Sequence, residues 1–342
     1  MTLRSSTDRH KTSDPVWGVD LLKARLILLL GVILVPAFLP LKVSGMPASA
    51  VASVPPCDQP GWFPTDFGLK DHHVFWYDGY YYLASIYLDP QDQFAYGRST
   101  DLCQWEDIGP ILTTRLPGSW DAMSIWAPFV YQEDGVFYMY YTGATFSLTQ
   151  SIMLATTENP ADPTSWQELG MIFQPNHPGM VWQAGQWADC RDPTVIKVGD
   201  VVYLYYTGTD TTGGIIGLAT ASSPAGPWTD LGSIIPPIVG GMPESPTVAL
   251  FADSYYLFYN QTNAGERYQI GNSPAGPWQE AYPFTPGWAH EVWQNPEGEW
   301  YTSYLTWFTV TISPLTWDTL VRPIRPWIGT EVFHTFLPLF LR

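Results

Sequence analysis

The fold follows from a stretch in the middle of the chain, RDPTVIKVGDVVYLYY, which spans residues 191–206. It predicts a short strand, a tight turn at Gly199-Asp200, and a second strand rich in Val and Tyr, because β-branched and aromatic residues favour strands and small polar pairs favour hairpin turns. Asp192 stands at the edge of the first strand, and Pro193 restricts the backbone there. The same module recurs along the chain, so the repeat indicates the architecture.

Four further segments repeat this module with variable loops. Each has a leading strand, a hairpin turn, a second strand, a third strand with Ala or Ser, and an edge that carries a Trp. The leading strands open at Asp71, Trp126, Asp192, Glu244 and His290. From the leading acid to the closing Trp there are 34 residues in the first copy, 36 in the third and 34 in the fourth. Four-stranded units in five copies predict a β-propeller.

We therefore predict an all-β fold, a single five-bladed β-propeller over residues 51–342, preceded by a signal or anchor segment over residues 1–50. The predicted blades cover roughly residues 66–112, 122–172, 188–235, 242–282 and 287–322, and a C-terminal tail follows. The fifth copy is expected to close with Trp317. A two-sheet sandwich is the structural alternative, but it does not explain the matched acidic openings.

The N-terminal segment has the features of a secretory signal. Lys23 and Arg25 precede an apolar run over residues 26–41, and Ala48-Ser49-Ala50 forms an A-x-A cleavage site. The run is shorter than the about 20 residues of a comfortable membrane span. We expect secretion, or alternatively an uncleaved anchor as the one membrane contact, with the folded part facing outside.

The composition indicates the class of partner. The formal net charge is -17 at pH 7, and the first fifty residues are net basic, so the remainder is more acidic still. Such a surface repels phosphate backbones, and we expect no nucleic-acid partner. The chain has 17 Trp, 20 Tyr and 16 Phe. Aromatic faces stack on neutral sugars and carboxylates bind hydroxyls, so an oligo- or polysaccharide partner suits this composition, although strands carry many aromatics in any case.

The acids at the strand openings are candidate catalytic residues. In a propeller the inner strands start beside one axis, so Asp71, Asp192 and Glu244 should converge. Hydrolysis of a glycosidic bond needs one carboxylic acid to protonate the leaving oxygen and a carboxylate opposite it. Close like charges raise the pKa of at least one acid, which keeps it protonated near neutral pH. Asp66, five residues before Asp71, is an alternative candidate for the catalytic base. Three further acids lie in predicted hairpin turns, where Asp is common because its side chain bonds to the local backbone. We expect only this structural role for them: Asp78, Asp134 and Asp200.

Several further residues are candidates for binding the substrate or a metal. We predict substrate binding by Arg191, Trp126, His72, Trp187 and Trp288. Trp120 and Trp182 are additional candidate sugar platforms. His72 and His73 are adjacent in a strand and point to opposite faces, so at most one of them can face the site. Cys57, Cys103 and Cys190 allow one disulfide, and their spacing does not show which two residues pair.

Four short motifs together resemble glycoside hydrolase family 43. They are Lys70-Asp71-His72-His73-Val74, Trp126-Ala127-Pro128, Arg191-Asp192-Pro193 and Glu244-Ser245-Pro246. The resemblance covers roughly residues 60–320 and implies a five-bladed propeller related to arabinanases, arabinofuranosidases and xylosidases.

By this resemblance Asp71 is the general base and Glu244 is the general acid of an inverting reaction. Asp192 is the third acid, which tunes the pKa and the orientation of the groups around it. His290 matches a histidine that faces an axial ion in many members, so a calcium ion is a possible ligand, although no cofactor is required.

The chain departs from the family at three positions beside the proposed site: Phe129, His72 and Ser245 stand where Asp, Pro and Gly are common. Two alternatives therefore remain. One is a non-catalytic propeller that binds carbohydrate or protein. The other is a retaining enzyme of the fructan-cleaving type, with Asp71 as nucleophile, although the Asn-Asp-Pro motif of that group is absent.

Overall fold

A computed structural model describes residues 55–113, 118–284, 287–317 and 323–324. Over these residues the fold is all-β, apart from one 3-10 turn at Pro163–Ser165. Five four-stranded antiparallel sheets form the blades of a propeller, which confirms the predicted fold. The predicted signal or anchor segment lies outside the described residues. No helix within them is long and apolar enough to cross a membrane.

The strands are numbered in chain order. They are β1 (Gly61–Trp62), β2 (Gly68–Tyr77), β3 (Tyr80–Leu88), β4 (Phe94–Ser99), β5 (Glu106–Asp107), β6 (Ser124–Glu133), β7 (Val136–Ala144), β8 (Gln150–Thr157), β9 (Gln167–Phe173), β10 (Cys190–Val198), β11 (Val201–Asp210), β12 (Gly213–Ala221), β13 (Thr229–Ser233), β14 (Pro243–Phe251), β15 (Ser254–Gln261), β16 (Gly265–Gly271), β17 (Tyr282–Pro283), β18 (Trp288–Gln294), β19 (Trp300–Thr306), β20 (Thr309–Pro314), β21 (Thr316–Trp317) and β22 (Pro323–Ile324).

The first four blades each use four consecutive strands, from β2–β5 to β14–β17. The fifth blade has the order β18-β19-β20-β1. The innermost strands are β2, β6, β10, β14 and β18; each contacts the next, and β18 contacts β2. The inner strands therefore form a closed ring around one axis.

Ring closure depends on the N-terminal strand, because β1 supplies the outer edge of the fifth blade by pairing with β20. The indole of Trp62 in β1 is buried. It stacks on Trp105 of the first blade with a centroid distance of 6.1 Å. It also lies against Gly97, where a Cβ would come within 2.9 Å of the indole. Trp62 thus joins the last blade to the first.

A disulfide reinforces the same junction. Cys57, just before β1, is bonded to Cys103 of the first blade, which resolves the pairing that the sequence leaves open. Cys190 is the remaining thiol and is buried.

The expectation that Trp317 closes the fifth blade is wrong. Trp317 lies in β21, which pairs with β22 in a separate two-stranded sheet. Its ring stacks on Phe251 of the fourth blade, with centroids 4.3 Å apart. A repeat followed in chain order cannot show this arrangement, because the closing strand comes from the other end of the chain.

Buried tyrosines tie neighbouring blades together. The hydroxyls of Tyr96, Tyr140 and Tyr205 each donate a hydrogen bond to a proline carbonyl of the following blade. The acceptors are Pro160, Pro224 and Pro274, at 2.8, 2.6 and 2.6 Å. Each bond satisfies a buried polar group, so the repeated tie fixes the blade spacing without leaving an unpaired hydroxyl.

We predict that Trp62→Ala destabilises the propeller by about 3–5 kcal/mol, because it leaves a cavity between the first and last blades. Denaturant unfolding measures this change. Val239→Ala is the control, since Val239 is 85% exposed, and surface changes usually stay within about 0.5 kcal/mol. Equal effects of the two substitutions would contradict the role given to Trp62.

Candidate active site

A β-bulge near the start of each inner strand shapes the axial end of the propeller. The pairing register shifts between Leu69 and His72 in the first blade and at the corresponding point of the other four. Bulges re-aim side chains at the point where pairing is interrupted. The bulge residues of the five strands line one axial cavity, among them Asp71, Asp192 and Ser245.

The bulges also show that the acids are not at equivalent positions. Asp192 has a φ of 56°, and the matching residue of the fourth blade is Ser245, with a φ of 51°. Glu244 lies one position earlier, in register with Arg191 of the third blade. By the same count Asp71 lies one position later than Asp192, so the expectation of matched strand openings is off by one residue for both Glu244 and Asp71.

Arg191 brings the acids together. Its Nη2 donates to Glu244 Oε1 at 2.7 Å, and its Nε lies 3.8 Å from Asp192 Oδ2. Its Nη1 pairs with Asp189. The side chain of Arg191 is 12% exposed, whereas that of Glu244 is 35% exposed. Arg191 thus neutralises part of a buried acidic cluster, and Glu244 is the acid that solvent or a ligand reaches most readily.

Asp192 is held from both sides. Its Oδ2 accepts hydrogen bonds from the Thr207 hydroxyl and from the Ser245 backbone amide, each at 3.0 Å. Its own amide donates to the Thr142 hydroxyl at 3.0 Å. Burial raises the pKa of Asp192, and the Arg191 guanidinium opposes that rise. The carboxylate is fixed in position, which suits a group that orients and tunes its neighbours.

Asp71 lies in the same electrostatic cluster. Burial, together with the charge of Asp192, raises the pKa of Asp71 to about 7; Glu244 adds to the rise, and Lys70 opposes it. A carboxyl group with this pKa exchanges its proton near neutral pH, as a general acid or base needs to do.

Two supporting residues were not predicted from the sequence. Asp189 accepts from Arg191, from Trp187 Nε1 at 3.0 Å and from the Thr209 hydroxyl at 2.7 Å. Gln150 Oε1 accepts from Arg191 Nη1 at 3.2 Å. Asp189 lies just before β10 and two residues before Arg191, so its spacing was a usable signal. Gln150 belongs to the preceding blade, and only the fold brings it near.

The adjacent histidines face opposite sides, as expected. His72 is buried, and its Nε2 lies 2.8 Å from the Ser303 hydroxyl. Burial lowers the pKa of His72 to about 3, so the ring stays neutral. His73 Nδ1 lies 3.3 Å from Glu291, and its ring packs on Phe129. His72 is buried and also lines the axial cavity, so its role in substrate binding stays a prediction.

His290 does not form a calcium site with its neighbours. The ring is buried between Phe284 and Tyr304, and its Nδ1 lies 3.4 Å from Glu266. Calcium prefers six to eight oxygen ligands. Over the part of the chain that is described, no group of three or more His, Cys, Asp or Glu side chains is arranged to hold a metal. The residues do not fit the ion.

The predicted aromatic platforms separate into two kinds. Trp187 and Trp288 are 49% and 39% exposed, so both are open to a ligand. Trp126 is partly buried and packs against the core between the first two blades. Trp120 and Trp182 lie against each other, with centroids 6.0 Å apart. Exposure therefore favours Trp187 and Trp288 over Trp126 as sugar platforms.

Asp66 is not part of the acidic cluster. It is exposed and lines a separate cleft between β1 and the first blade, beside Phe63 and Trp105. The axial cavity contains Asp71 instead. The position of Asp71 in the axial cavity therefore favours Asp71 over Asp66 as the candidate.

Comparison with known proteins agrees with this geometry. The model of the family described as Glycosyl hydrolases family 43 matches residues 67–186. A crystal structure of a thermostable family-43 glycoside hydrolase superposes with a TM-score of 0.61 at 19% identity, over 78% of this chain and 96% of that one. The similarity to family 43 covers residues 67–186, and the fold over the described residues is a five-bladed propeller like that of the family-43 structure.

Other matches show how far the likeness extends. A probable arabinan endo-1,5-alpha-L-arabinosidase A of Aspergillus flavus is 38% identical over 84 residues, which are 22% of this chain and 24% of that protein. The match spans about a quarter of that curated relative. A sucrose-6-phosphate hydrolase from Lactobacillus gasseri has a TM-score of 0.62 at 16% identity, over 78% of this chain and 62% of that one. At such identities the superpositions show the fold alone.

We predict that Asp71→Asn makes stability less dependent on pH. Because the folded-state pKa is raised to about 7, the contribution of Asp71 is full below the ordinary carboxyl pKa and is lost as pH rises toward 7. Between pH 5 and pH 8 the native melting temperature should therefore fall about 3–5 °C further than that of the variant. Asp78→Asn, in an exposed turn, is the control. Parallel pH profiles for native protein and Asp71→Asn would contradict the assignment.

Proposed function

We propose that this chain is a glycoside hydrolase that cleaves arabinose- or xylose-containing glycosides in an oligo- or polysaccharide. One observation carries the proposal: Asp71, Asp192 and Glu244 come from three different blades and meet around Arg191 at the axial end. Glycosidic hydrolysis needs paired carboxyl groups that differ in protonation. Asp71, whose pKa is raised by burial and by the charge of Asp192, and Glu244, which pairs with Arg191, have the different environments that such a division of roles requires.

The general base in this proposal is Asp71. A pKa of about 7 leaves a large ionised fraction at neutral pH while keeping the group strongly basic. The ionised carboxylate takes a proton from the attacking water, whose oxygen bonds to the anomeric carbon. Asp192 remains fixed by Thr207 and Ser245 and raises the basicity of Asp71 through its charge.

Glu244 is the general acid in this proposal, which donates its proton to the departing oxygen. Glu244 Oε1 accepts a hydrogen bond from Arg191 Nη2 at 2.7 Å, so Glu244 exchanges that contact for one with the departing oxygen when substrate binds. Asp189 and Asp192 keep Arg191 paired when this happens. The exposure of Glu244 permits the exchange, whereas Arg191 stays buried.

The substrate class rests on the relatives and on the aromatic groups. The Aspergillus relative is described as an arabinan endo-arabinosidase. Another, from Cellvibrio japonicus, is described as an extracellular exo-alpha-(1->5)-L-arabinofuranosidase, with 33% identity over 91 residues. Exposed Trp187 and Trp288 would stack on the sugar rings beside the bond that is cleaved.

The proposed reaction needs no cofactor, because carboxyl groups alone transfer its protons. A secreted protein is the location that fits a plant polysaccharide substrate. The disulfide between Cys57 and Cys103 supports it, since such bonds persist in oxidising compartments outside the cytoplasm.

We predict that Asp71→Asn, Asp192→Asn and Glu244→Gln each lower kcat/KM by roughly 10²–10⁴-fold, because each removes or misdirects a proton transfer. Nitrophenyl pentosides and arabinan are the substrates, and circular dichroism checks the fold. Asp200→Asn, in an exposed hairpin turn, is the matched control. Native hydrolysis that survives both Asp71→Asn and Glu244→Gln would remove the catalytic assignment. Binding of arabinan without turnover would favour the non-catalytic alternative.

We also predict inversion at the anomeric carbon. An inverting enzyme releases its first product with the opposite anomeric configuration, whereas a retaining enzyme keeps it. Proton NMR during the first minutes of hydrolysis, before mutarotation, distinguishes the two. A first-formed anomer of unchanged configuration would assign Asp71 as a nucleophile and support the fructan-type alternative.

A further inference from the structure

The hairpin between β19 and β20 ends in two bulky aromatic residues in an unfavourable conformation. Trp307 and Phe308 have φ values of 52° and 62°. Left-handed residues at a two-residue hairpin turn are normally Asn, Asp or Gly, because a large side chain is strained there. We call Trp307 and Phe308 the aromatic tip.

The same chain uses the favourable residues elsewhere. The hairpin of the first blade turns at Asp78-Gly79, with φ values of 45° and 85°, and that of the second turns at Asp134-Gly135, with 51° and 82°. Both turns lie at the far ends of the inner strands from the acidic cluster. Ala252-Asp253 of the fourth blade is also left-handed, with φ values of 47° and 63°, but neither residue has a large ring. The aromatic tip differs from these turns because it places two large aromatic residues in this conformation, and strain of this kind concentrates at functional sites.

The aromatic tip is also exposed. Trp307 is 66% exposed and Phe308 is 53% exposed. Burial of these rings in the core therefore does not account for the choice of residues. A strained conformation in which two large rings stay largely exposed favours a role in binding a ligand.

The position of the tip indicates what the rings contact. The Phe308 carbonyl accepts a hydrogen bond from the Leu69 amide at 2.7 Å. Leu69 is two residues before Asp71, which corresponds to about 6.6 Å of strand. A Cβ at Gly68 would lie 3.1 Å from Phe308 Cβ, so the tip rests on a residue without a side chain. The backbone fixes the tip beside Asp71.

Trp288 extends the aromatic surface. It pairs with Leu305, two residues before Trp307, at the same end of the fifth blade. Its side chain is 39% exposed. Trp187, which is 49% exposed, donates to Asp189, the partner of Arg191. Exposed rings are thus found both next to the third-blade acids and in the fifth blade.

We propose that the aromatic tip is a sugar-binding platform that stacks on a pentose unit of the substrate next to the unit held at Asp71. The inference rests on the proposed glycosidase function and adds a residue pair that determines the preference for oligomeric over short substrates. Neutral sugar is the ligand that fits, since apolar ring faces lie beside a net acidic site that repels anions.

The platform is tested with the double variant Trp307→Asn/Phe308→Gly in the full chain. This change installs the favoured turn residues and keeps the backbone bond to Leu69. The melting temperature should rise by a few degrees, because two strained residues are relieved. For a linear 1,5-linked arabino-oligosaccharide, kcat/KM should fall roughly tenfold, as expected for the loss of a stacking contact. For a nitrophenyl arabinofuranoside, kcat/KM should stay within about twofold, because this substrate has no further sugar unit.

The matched control is Ala252→Asn/Asp253→Gly. These residues form the hairpin turn of the fourth blade, with φ values of 47° and 63°, at the far end from Glu244. This control should raise the melting temperature in the same way and leave both substrates unaffected. Trp307→Phe, which retains a ring, should restore most of the oligosaccharide activity relative to Trp307→Ala.

The outcomes separate the platform from the catalytic proposal. An unchanged oligosaccharide kcat/KM in the tip variant, or an equal loss with both substrates, would overturn the platform. If the native chain hydrolyses neither substrate, the catalytic proposal fails, and calorimetric titration with the same oligosaccharide then decides the platform alone. Weaker binding by the tip variant than by the native chain would support it; equal binding, or no binding by either, would overturn it. If the double variant does not fold, Trp307→Ala takes its place in each comparison.

Discussion

Closing five twisted sheets into a ring imposes the constraint that governs this molecule. Each inner strand has to begin beside the axis, and the ring closes because β1 pairs with β20 and places Trp62 against the first blade. With β1 in place the last blade has four strands like the others, and the propeller keeps only short, protected sheet edges. The contacts of β1 with β20 and with the first blade therefore hold the inner strands in a closed ring, and the acids meet at the axial end of that ring.

That convergence has an electrostatic consequence. Acids from three blades would repel one another strongly in a half-buried site, and the Arg191 guanidinium offsets part of the repulsion by pairing with Asp189, Asp192 and Glu244. The remaining repulsion and the burial are what raise the pKa of Asp71. Asp71, whose ionised form is disfavoured by burial and by neighbouring acids, is therefore the carboxyl group suited to transfer a proton near neutral pH.

The aromatic tip likewise combines an unfavourable local conformation with a position beside the carboxyl groups. Asp78-Gly79 and Asp134-Gly135 are turn residues that the backbone favours, whereas Trp307-Phe308 are not. The unfavourable choice occurs at the end of the blade where the carboxyl groups lie. Two large aromatic residues in a strained turn lie beside the site, where departures from local sequence rules are expected.

The sequence by itself determined the repeat, the all-β class, the five blades, and Asp71, Asp192 and Glu244 as acids that share one end of the axis. It did so because strand period, turn residues and blade phase are local properties that survive in each copy. Only the tertiary structure decided that β1 rather than Trp317 closes the ring, that His72 is buried, that Glu244 is one position out of register, and that Cys57 pairs with Cys103. Those features depend on contacts between segments far apart in the chain, and no local pattern encodes which distant partner a residue will meet.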